Sequence, residues 1–348
     1  MPGDDELRVA VAGASGYVGG ELLRLLAAHS AVGGLRALSE SAAGKPWSAV
    51  HASLRHAREG SFEGADVLEA ARWADVLFLA WPHGRSQRRI EDIESASPRL
   101  VIDAAADFRV RDRGLGEAHY GDHAAPGRLP EWTYGLADVA GARLLGKRRI
   151  AAPGCFATAT LLALYPFVRP GALASPPVSF AVTGSSGAGA EPRRTTHHPV
   201  RGHNMFAYSL GGHRHEAEID EQVRDWSGDG KTACRLVAHS GPFVRGIHAT
   251  VHLRLAIADP EAPARLAETY AGSRFVEVLD HPVELTAVVG TNFAHLHAAV
   301  RDGGREVLVT SVIDNLVKGA AGQAVQCMNL ALGLPEASGL EFGGIYPC

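Results

Sequence analysis

Cys155 lies in the run Pro153-Gly154-Cys155-Phe156-Ala157-Thr158, where a turn signal is followed at once by small and apolar residues. That order predicts a helix starting at or near the cysteine. At a helix start, unpaired backbone N–H groups and the helix dipole favour negative charge. A thiol held there loses its proton more easily, and the thiolate is the nucleophile. The same window also fits a small buried cysteine without chemistry. A nucleophilic thiol commonly has a base nearby. The segment Gly211-Gly212-His213-Arg214-His215-Glu216-Ala217-Glu218 offers an imidazole, a guanidinium for anionic oxygens and a carboxylate to orient the ring. Alone, it also reads as a solvated histidine-rich loop. The loop Gly184-Ser185-Ser186-Gly187-Ala188-Gly189 can turn backbone N–H groups toward an oxyanion, or serve as a glycine hinge. Arg109, Arg201, Arg214 and Arg245 are the candidates to hold a phosphate or carboxylate.

These residues need elements to position them. Residues 7–12 read as a buried strand, 21–28 as an apolar-faced helix and 33–39 as a second strand. Between the first strand and the helix lies Gly13-Ala14-Ser15-Gly16-Tyr17-Val18-Gly19-Gly20. Its Gly-x-x-Gly-x-x-Gly spacing permits a tight turn, close approach of a pyrophosphate and helix–strand packing. A plain tight turn is the other reading. Dinucleotide folds place an acidic residue at the end of the second strand when the cofactor is NAD. Here Ser39 stands at that point, followed by Glu40 and Ser41. A hydroxyl there suits the 2′-phosphate of NADP, with Arg36 assisting, while Glu40 keeps NAD open. Strands at 74–80 and 100–103 extend the same sheet. After Cys155, strands at 178–183, 234–239, 248–256 and 306–313, with a helix at 264–271, suggest an antiparallel-rich α+β domain. A last helix is expected over 316–334, apolar all round.

Composition bounds the class. A chain of 348 residues suggests two domains, and 46% hydrophobic residues can bury a sizeable core. A net charge of −4 gives no general drive toward nucleic acid or an anionic membrane. No apolar run approaches a membrane span, and the acidic start is no signal peptide. Cys155, Cys234, Cys327 and Cys348 show no metal or disulfide spacing, which fits free thiols in a reducing, cytoplasmic setting. The 17 histidines show no metal-binding spacing, so no metal is expected.

With these residues laid out, the chain resembles the N-acetyl-γ-glutamyl-phosphate reductases of arginine biosynthesis. It resembles equally their relatives that reduce α-aminoadipyl phosphate in lysine biosynthesis, and more distantly aspartate-semialdehyde dehydrogenase. The resemblance rests on residues 13–20, Ala106-Asp107-Phe108-Arg109, residues 153–158, 184–189, His213-Arg214-His215, Val244-Arg245-Gly246-Ile247 and residues 313–326. It implies an α/β chain: a Rossmann-type NADP-binding domain, residues 1–153 plus 312–348, with an inserted α+β substrate and dimerisation domain, residues 154–311. It implies Cys155 as nucleophile and His213 as acid/base. Gly13, Ser15, Gly16, Tyr17, Val18, Gly19 and Ser39 would serve the cofactor, with Asn315 at its nicotinamide end. Arg109, Arg214 and Arg245 would serve the substrate phosphate. The implied reaction is NADPH-dependent reduction of an acyl phosphate to a semialdehyde through a thioester, in a homodimer or homotetramer. His197-His198-Pro199-Val200-Arg201 is closer to the lysine-type branch, whose substrate can ride on an acidic carrier protein; Arg193, Arg194 and Arg201 would suit such a partner. The chain reads His-Glu-Ala-Glu over 215–218 where the family often has His-Thr-Pro-Glu, which leaves the role of Glu218 open. A non-catalytic NADP-binding redox sensor and a Cys-His acyltransferase or hydrolase are the rivals from other classes.

Overall fold

A computed structural model describes residues 6–64 and 66–345; Cys348 and the first five residues lie outside the described set. The chain divides into two compact units. The first comprises residues 1–113, 122–153 and 320–341; the second comprises 114–121, 154–319 and 342–348.

The first unit is built on a seven-stranded sheet. Its strands are β1 (Leu7–Ala12), β2 (Val32–Leu38), β3 (Phe62–Glu63), β4 (Val76–Leu79), β5 (Leu100–Asp103), β6 (Thr133–Tyr134) and β7 (Arg149–Ala151). Their order is β3-β2-β1-β4-β5-β7-β6, and every neighbouring pair is parallel. Parallel strands are covered on both faces, which is why β4 and the first three residues of β5 read as buried apolar runs rather than alternating ones. Helix Tyr17–Ala27 lays Leu22, Leu23, Leu25 and Leu26 inward. It packs on helix Gly322–Leu332.

The second unit carries β8 (Val178–Thr183), β9 (Phe206–Ala207), β10 (Arg235–Ser240), β11 (Ile247–Arg254), β12 (Val276–Val278), β13 (Ala294–Arg301) and β14 (Glu306–Ile313). The order is β12-β13-β14-β11-β8-β10-β9. Only β8–β10 and β12–β13 run parallel. Period-2 burial along β11 marks a sheet with two unlike faces. Helix Cys155–Leu164 packs on β11, on β14 and on helix His215–Ser227.

Two expected elements differ. The first helix starts at Tyr17 rather than Glu21, because Gly16 already serves as its N-cap and the second half of the glycine turn is helical. The last helix is not continuous over 316–334. A π turn over Val317–Ala321 precedes the α-helix Gly322–Leu332, which ends at Gly333 in the left-handed region. The amide of Gly319 reaches back to the carbonyl of Asp314, and the Asp314 carboxylate accepts from the amides of Leu316 and Val317. Among the described residues no helix is long and apolar enough to cross a membrane, and no cluster of three or more His, Cys, Asp or Glu is placed to hold a metal.

Candidate active site

Cys155 is the first residue of helix Cys155–Leu164, with Gly154 as N-cap and no side-chain cap on the first turn. Cys155 is partly exposed, while the rest of the helix is buried on all sides. The turn that aims it is held from elsewhere. The buried carboxylate of Glu218 accepts from the Gly154 amide at 2.8 Å and from the Tyr120 hydroxyl at 3.3 Å. The His215 ring lies beside Glu218, Nε2 to Oε1 4.0 Å. A Cβ on residue 154 would fall 2.6 Å from the His215 ring and 2.8 Å from Glu218, so only glycine fits. On the other side, a Cβ at Gly319 would sit 2.7 Å from Cβ of Cys155. The π turn thus brings bare backbone against the cysteine, as π turns often do at functional sites.

His213 belongs to the same cluster. Its ring meets Phe156 edge-on at 5.2 Å, Tyr208 at 5.7 Å and His215 at 4.8 Å between centroids. The ring is buried rather than solvated, against the loop reading. Burial, and then the neighbouring Arg214 cation, lower its pKa to about 4. Tyr208 lies within electrostatic reach of Cys155, Arg214 and Arg201; burial first, then Cys155, push its hydroxyl above the ordinary phenol range. Tyr208 and Gly319 were not singled out from sequence, and the role of Glu218 was left open there. Tyr208 precedes a Gly-Gly turn and Glu218 lies on a helix 64 positions from Gly154, so only folding reveals their targets.

The arginines separate. Arg214 is exposed beside His213. Arg245 forks onto the buried Asp314 at 2.8 and 3.1 Å, and Asp314 also accepts from the Gly290 amide. Next to it, Asn315 accepts from the Gly246 amide at 2.6 Å and bonds Ser186 at 3.0 Å. Its side chain thereby ties the 184–189 loop, a single 3-10 turn at Ser185–Ala188, to the segment before β11. Arg201 is buried and donates to Ser240 at 2.6 Å and to the carbonyls of Thr183 and Gly241. It adds nothing to a basic surface, unlike the exposed Arg193 and Arg194.

Arg109 stands in the first unit, where it donates to the carbonyls of Ala152 and Ala104, both at 2.8 Å. The glycine turn is in that unit too. Gly13 has φ +80°, and a Cβ there would meet the Ala80 carbonyl at 2.4 Å. A Cβ at Gly19 would meet the Gly13 oxygen at 2.5 Å. Gly16, the N-cap, has no side-chain cap, so Tyr17, Val18 and Gly19 present a bare first turn, which is the backbone cradle a pyrophosphate requires. Ser39 ends this rim, donating to Ser15 at 2.8 Å and accepting from the Ala42 amide at 3.2 Å. Arg36 is turned away onto Glu63 and Glu69 and stacks on Trp73, so it does not assist at Ser39. Arg85 is the arginine that reaches the residue after Ser39. It pairs with Glu40 and lies over Trp81 at 4.7 Å.

A glycine cradle on a parallel sheet, joined to a cysteine at a helix start in a mixed-sheet unit, defines the semialdehyde dehydrogenase class. Residues 8–146 match the family described as semialdehyde dehydrogenase, NAD binding domain, and residues 155–315 match semialdehyde dehydrogenase, dimerisation domain. Within that class the chain belongs to the N-acetyl-γ-glutamyl-phosphate reductase family. It is 41% identical to N-acetyl-gamma-glutamyl-phosphate reductase of Acidothermus cellulolyticus, covering 98% of this chain and 99% of that one. It is 39% identical to the LysW-L-2-aminoadipate 6-phosphate reductase of Deinococcus radiodurans, covering 97% and 98%. The fold matches the crystal structure of aspartate semialdehyde dehydrogenase II from Vibrio cholerae with a TM-score of 0.70 at 18% identity, covering 93% of this chain and 98% of that one.

Proposed function

We propose that this chain reduces N-acetyl-γ-glutamyl phosphate to the semialdehyde with NADPH, releasing phosphate through a thioester on Cys155. The observation that carries this reading is Cys155 as the first residue of its helix, in a chain similar along its length to reductases of that name. The thiolate attacks the acyl carbon, and phosphate leaves. When bound, NADPH supplies the hydride that reduces the thioester. The thiohemiacetal then expels Cys155 and releases the aldehyde. His213 attends the oxygen of these intermediates. Arg214, beside His213, and Arg245 are the arginines of the same unit that we assign to the phosphate, with Arg109 a further candidate; the amides near Cys155 and in the 184–189 loop assist the oxyanion. Residues 1–153 plus 312–348 would act as the cofactor domain and 154–311 as the catalytic one. NADP over NAD is supported by the Ser39 hydroxyl and by Arg85, which offsets the charge of Glu40. The free thiol of Cys155 needs reducing surroundings, so we assign the enzyme to the cytoplasm. A homo-oligomer is supported by the dimerisation-domain match and by Phe180, half exposed on β8.

A second reading has its own observation. Residues 191–199, with Arg193, Arg194, His197 and His198 exposed, form a basic strip suited to an acidic carrier bearing an α-aminoadipyl phosphate. The relative from Deinococcus radiodurans carries LysW in its name. One panel tests both, run in the oxidising direction with NADP and phosphate. N-acetylglutamate semialdehyde, its one-carbon-longer homologue, free and carrier-bound, and aspartate semialdehyde are compared. NADP reduction dependent on phosphate with the first substrate supports the main reading, and turnover with none of them overturns it.

A further inference from the structure

We propose that two copies of this chain associate through the open face of the second unit's sheet, and that five histidines on that face must be neutral for the copies to meet. The proposal rests on the homo-oligomer reading above and adds to it the face and its dependence on pH. Burial alternates along β8, β10 and β11, and along the first five residues of β13 and the first six of β14. Successive strand residues point to opposite faces, so one face is covered and the other is not. Thr160 of helix Cys155–Leu164 bonds Ser179 at 2.9 Å, which puts that helix on the covered face.

Strand register lines up the open face in rows. The first runs His239, Val182, His248, Val312, His295. The second runs Val237, Phe180, Thr250, Thr310, His297. The third carries Val178, His252 and Leu308. Neighbouring histidines of the first row have one strand between them, so they stand about 10 Å apart, too far to share a metal within one copy. Phe180, in the middle, is 50% exposed. Val312 is covered by Val283 and Val288.

Charge is confined to the border. Glu277 closes the first row, 3.4 Å from the His295 ring. Arg235 ends the third row, and Arg254, Glu306 and Arg301 form a fourth. The segment over Val312 adds Asp280, His281 and Glu284, all exposed. Among the described residues no carboxylate lies inside this border. An uncharged centre with an aromatic residue and a polar rim is the composition of an interface core. The whole face lies within residues 155–315, the span matched to a dimerisation domain. In a two-fold contact each face meets its own copy, so a proton gained on one is gained on both.

The rings of His239 and His297 set Nδ1 on the carbonyls of Val237 at 3.2 Å and Leu279 at 3.0 Å. A carbonyl only accepts, so Nδ1 carries the hydrogen and an incoming proton goes to Nε2. Burial lowers the pKa of His248 and His295; at His295, Glu277 opposes the shift and His281 reinforces it. A second copy over the face extends that desolvation and sets cation against cation. The assembled state therefore favours neutral rings. Association is complete above the ordinary histidine value of about 6.5 and is lost as pH falls below it.

Sedimentation equilibrium of the full chain at about pH 7.5 and about pH 5.5, on either side of the ordinary histidine value, tests this, with circular dichroism reporting the fold. One position that is neutral in the dimer and titrates near about 6.5 in the separated copy weakens association about tenfold per copy over that range. Both copies carry it, so Kd should rise at least about 100-fold. His239→Gln, His248→Gln, His252→Gln and His297→Gln combined should keep the dimer and flatten its pH dependence. Phe180→Asp should give monomers at both pH values. A parent Kd that does not change with pH, or a combined variant that dissociates in acid as the parent does, overturns the role of the histidines. A dimer that tolerates Phe180→Asp overturns the face. A parent that is monomeric at both pH values sinks the homo-oligomer reading itself.

Discussion

Two helix starts in this chain are built alike and held differently. Gly16 and Gly154 are both N-caps in extended conformation, φ −78°, ψ 169° and φ −72°, ψ 150°, and neither helix has a side-chain cap or an acid in its first turn. Neither first turn is capped by the side chain of its N-cap residue. The glycine turn is closed by its own neighbours: Gly19 packs on the backbone of Gly13 and Ala14. The cysteine turn is closed by distant residues, with Glu218 on the Gly154 amide and Gly319 against Cys155. On the proposed function, the difference teaches that a helix start meant to hold a diffusible anion can rest on local backbone. One meant to generate an anion on its own side chain draws here on a scaffold gathered from elsewhere.

The sharpest break in this comparison is Cys155→Ser. It leaves the amides of the second helix start in place and removes the thiolate. Turnover should fall by at least about 10⁴-fold, as when a nucleophile is removed from a concerted set. The dissociation constant for NADP should not move. A variant that still reduces substrate would show that the second helix start is not a nucleophile site.

Glu218→Gln asks whether the distant scaffold matters. A buried hydrogen bond to a charged group contributes about 1.5–3 kcal/mol, so kcat should fall about 10–100-fold, with NADP affinity unchanged. Unchanged kcat would mean the cysteine turn holds itself, as the glycine turn does. Gly19→Ala asks the reverse question of the first unit. Its Cβ would lie 2.5 Å from the Gly13 oxygen, and overpacking of this kind costs about 1–3 kcal/mol. NADP binding should weaken about tenfold while kcat at saturation holds; a loss confined to kcat would contradict the cradle.

The same contrast explains what could be read from the residues in order. The glycine cradle and its βαβ setting are contiguous, so residues 7–39 disclosed them, down to Ser39. Cys155 at a helix start was legible for the same reason. Arg36 was misread because its partners, Glu63 and Glu69, come from a later strand and helix, and Arg85 reaches Glu40 across 45 positions. Arg201 looked like surface charge in a polar run, yet its three acceptors come from β8, β10 and the turn after β10. The π turn in the last helix was hidden because its cause, the approach of Gly319 to Cys155, is a tertiary contact.

The smallest effect expected separates the two units by pH. In the first, burial and then the neighbouring Asp107 raise the Asp103 carboxyl from 3.8 to about 7. Asp107 itself is held low against its burial by His83 and by the amides of Gly84 and Gln87, so the protonation step belongs to the pair. A raised carboxyl stabilises the fold fully below its ordinary value and loses that contribution as pH rises through about 7. In the second unit, the lowered imidazole of His213 stabilises fully above its ordinary 6.5 and loses that contribution as pH falls through about 4. The first unit should therefore loosen toward alkali and the second toward acid. Asp103→Asn, which keeps an acceptor for Ser86 and Ala105, should raise the melting temperature relative to the parent at about pH 8 and lose that advantage toward about pH 4. Hydrogen exchange should place the alkaline gain in the first unit. An equal shift at both pH values would mean that Asp103 is ionised in the fold throughout, and the opposed titration of the two units would fall with it.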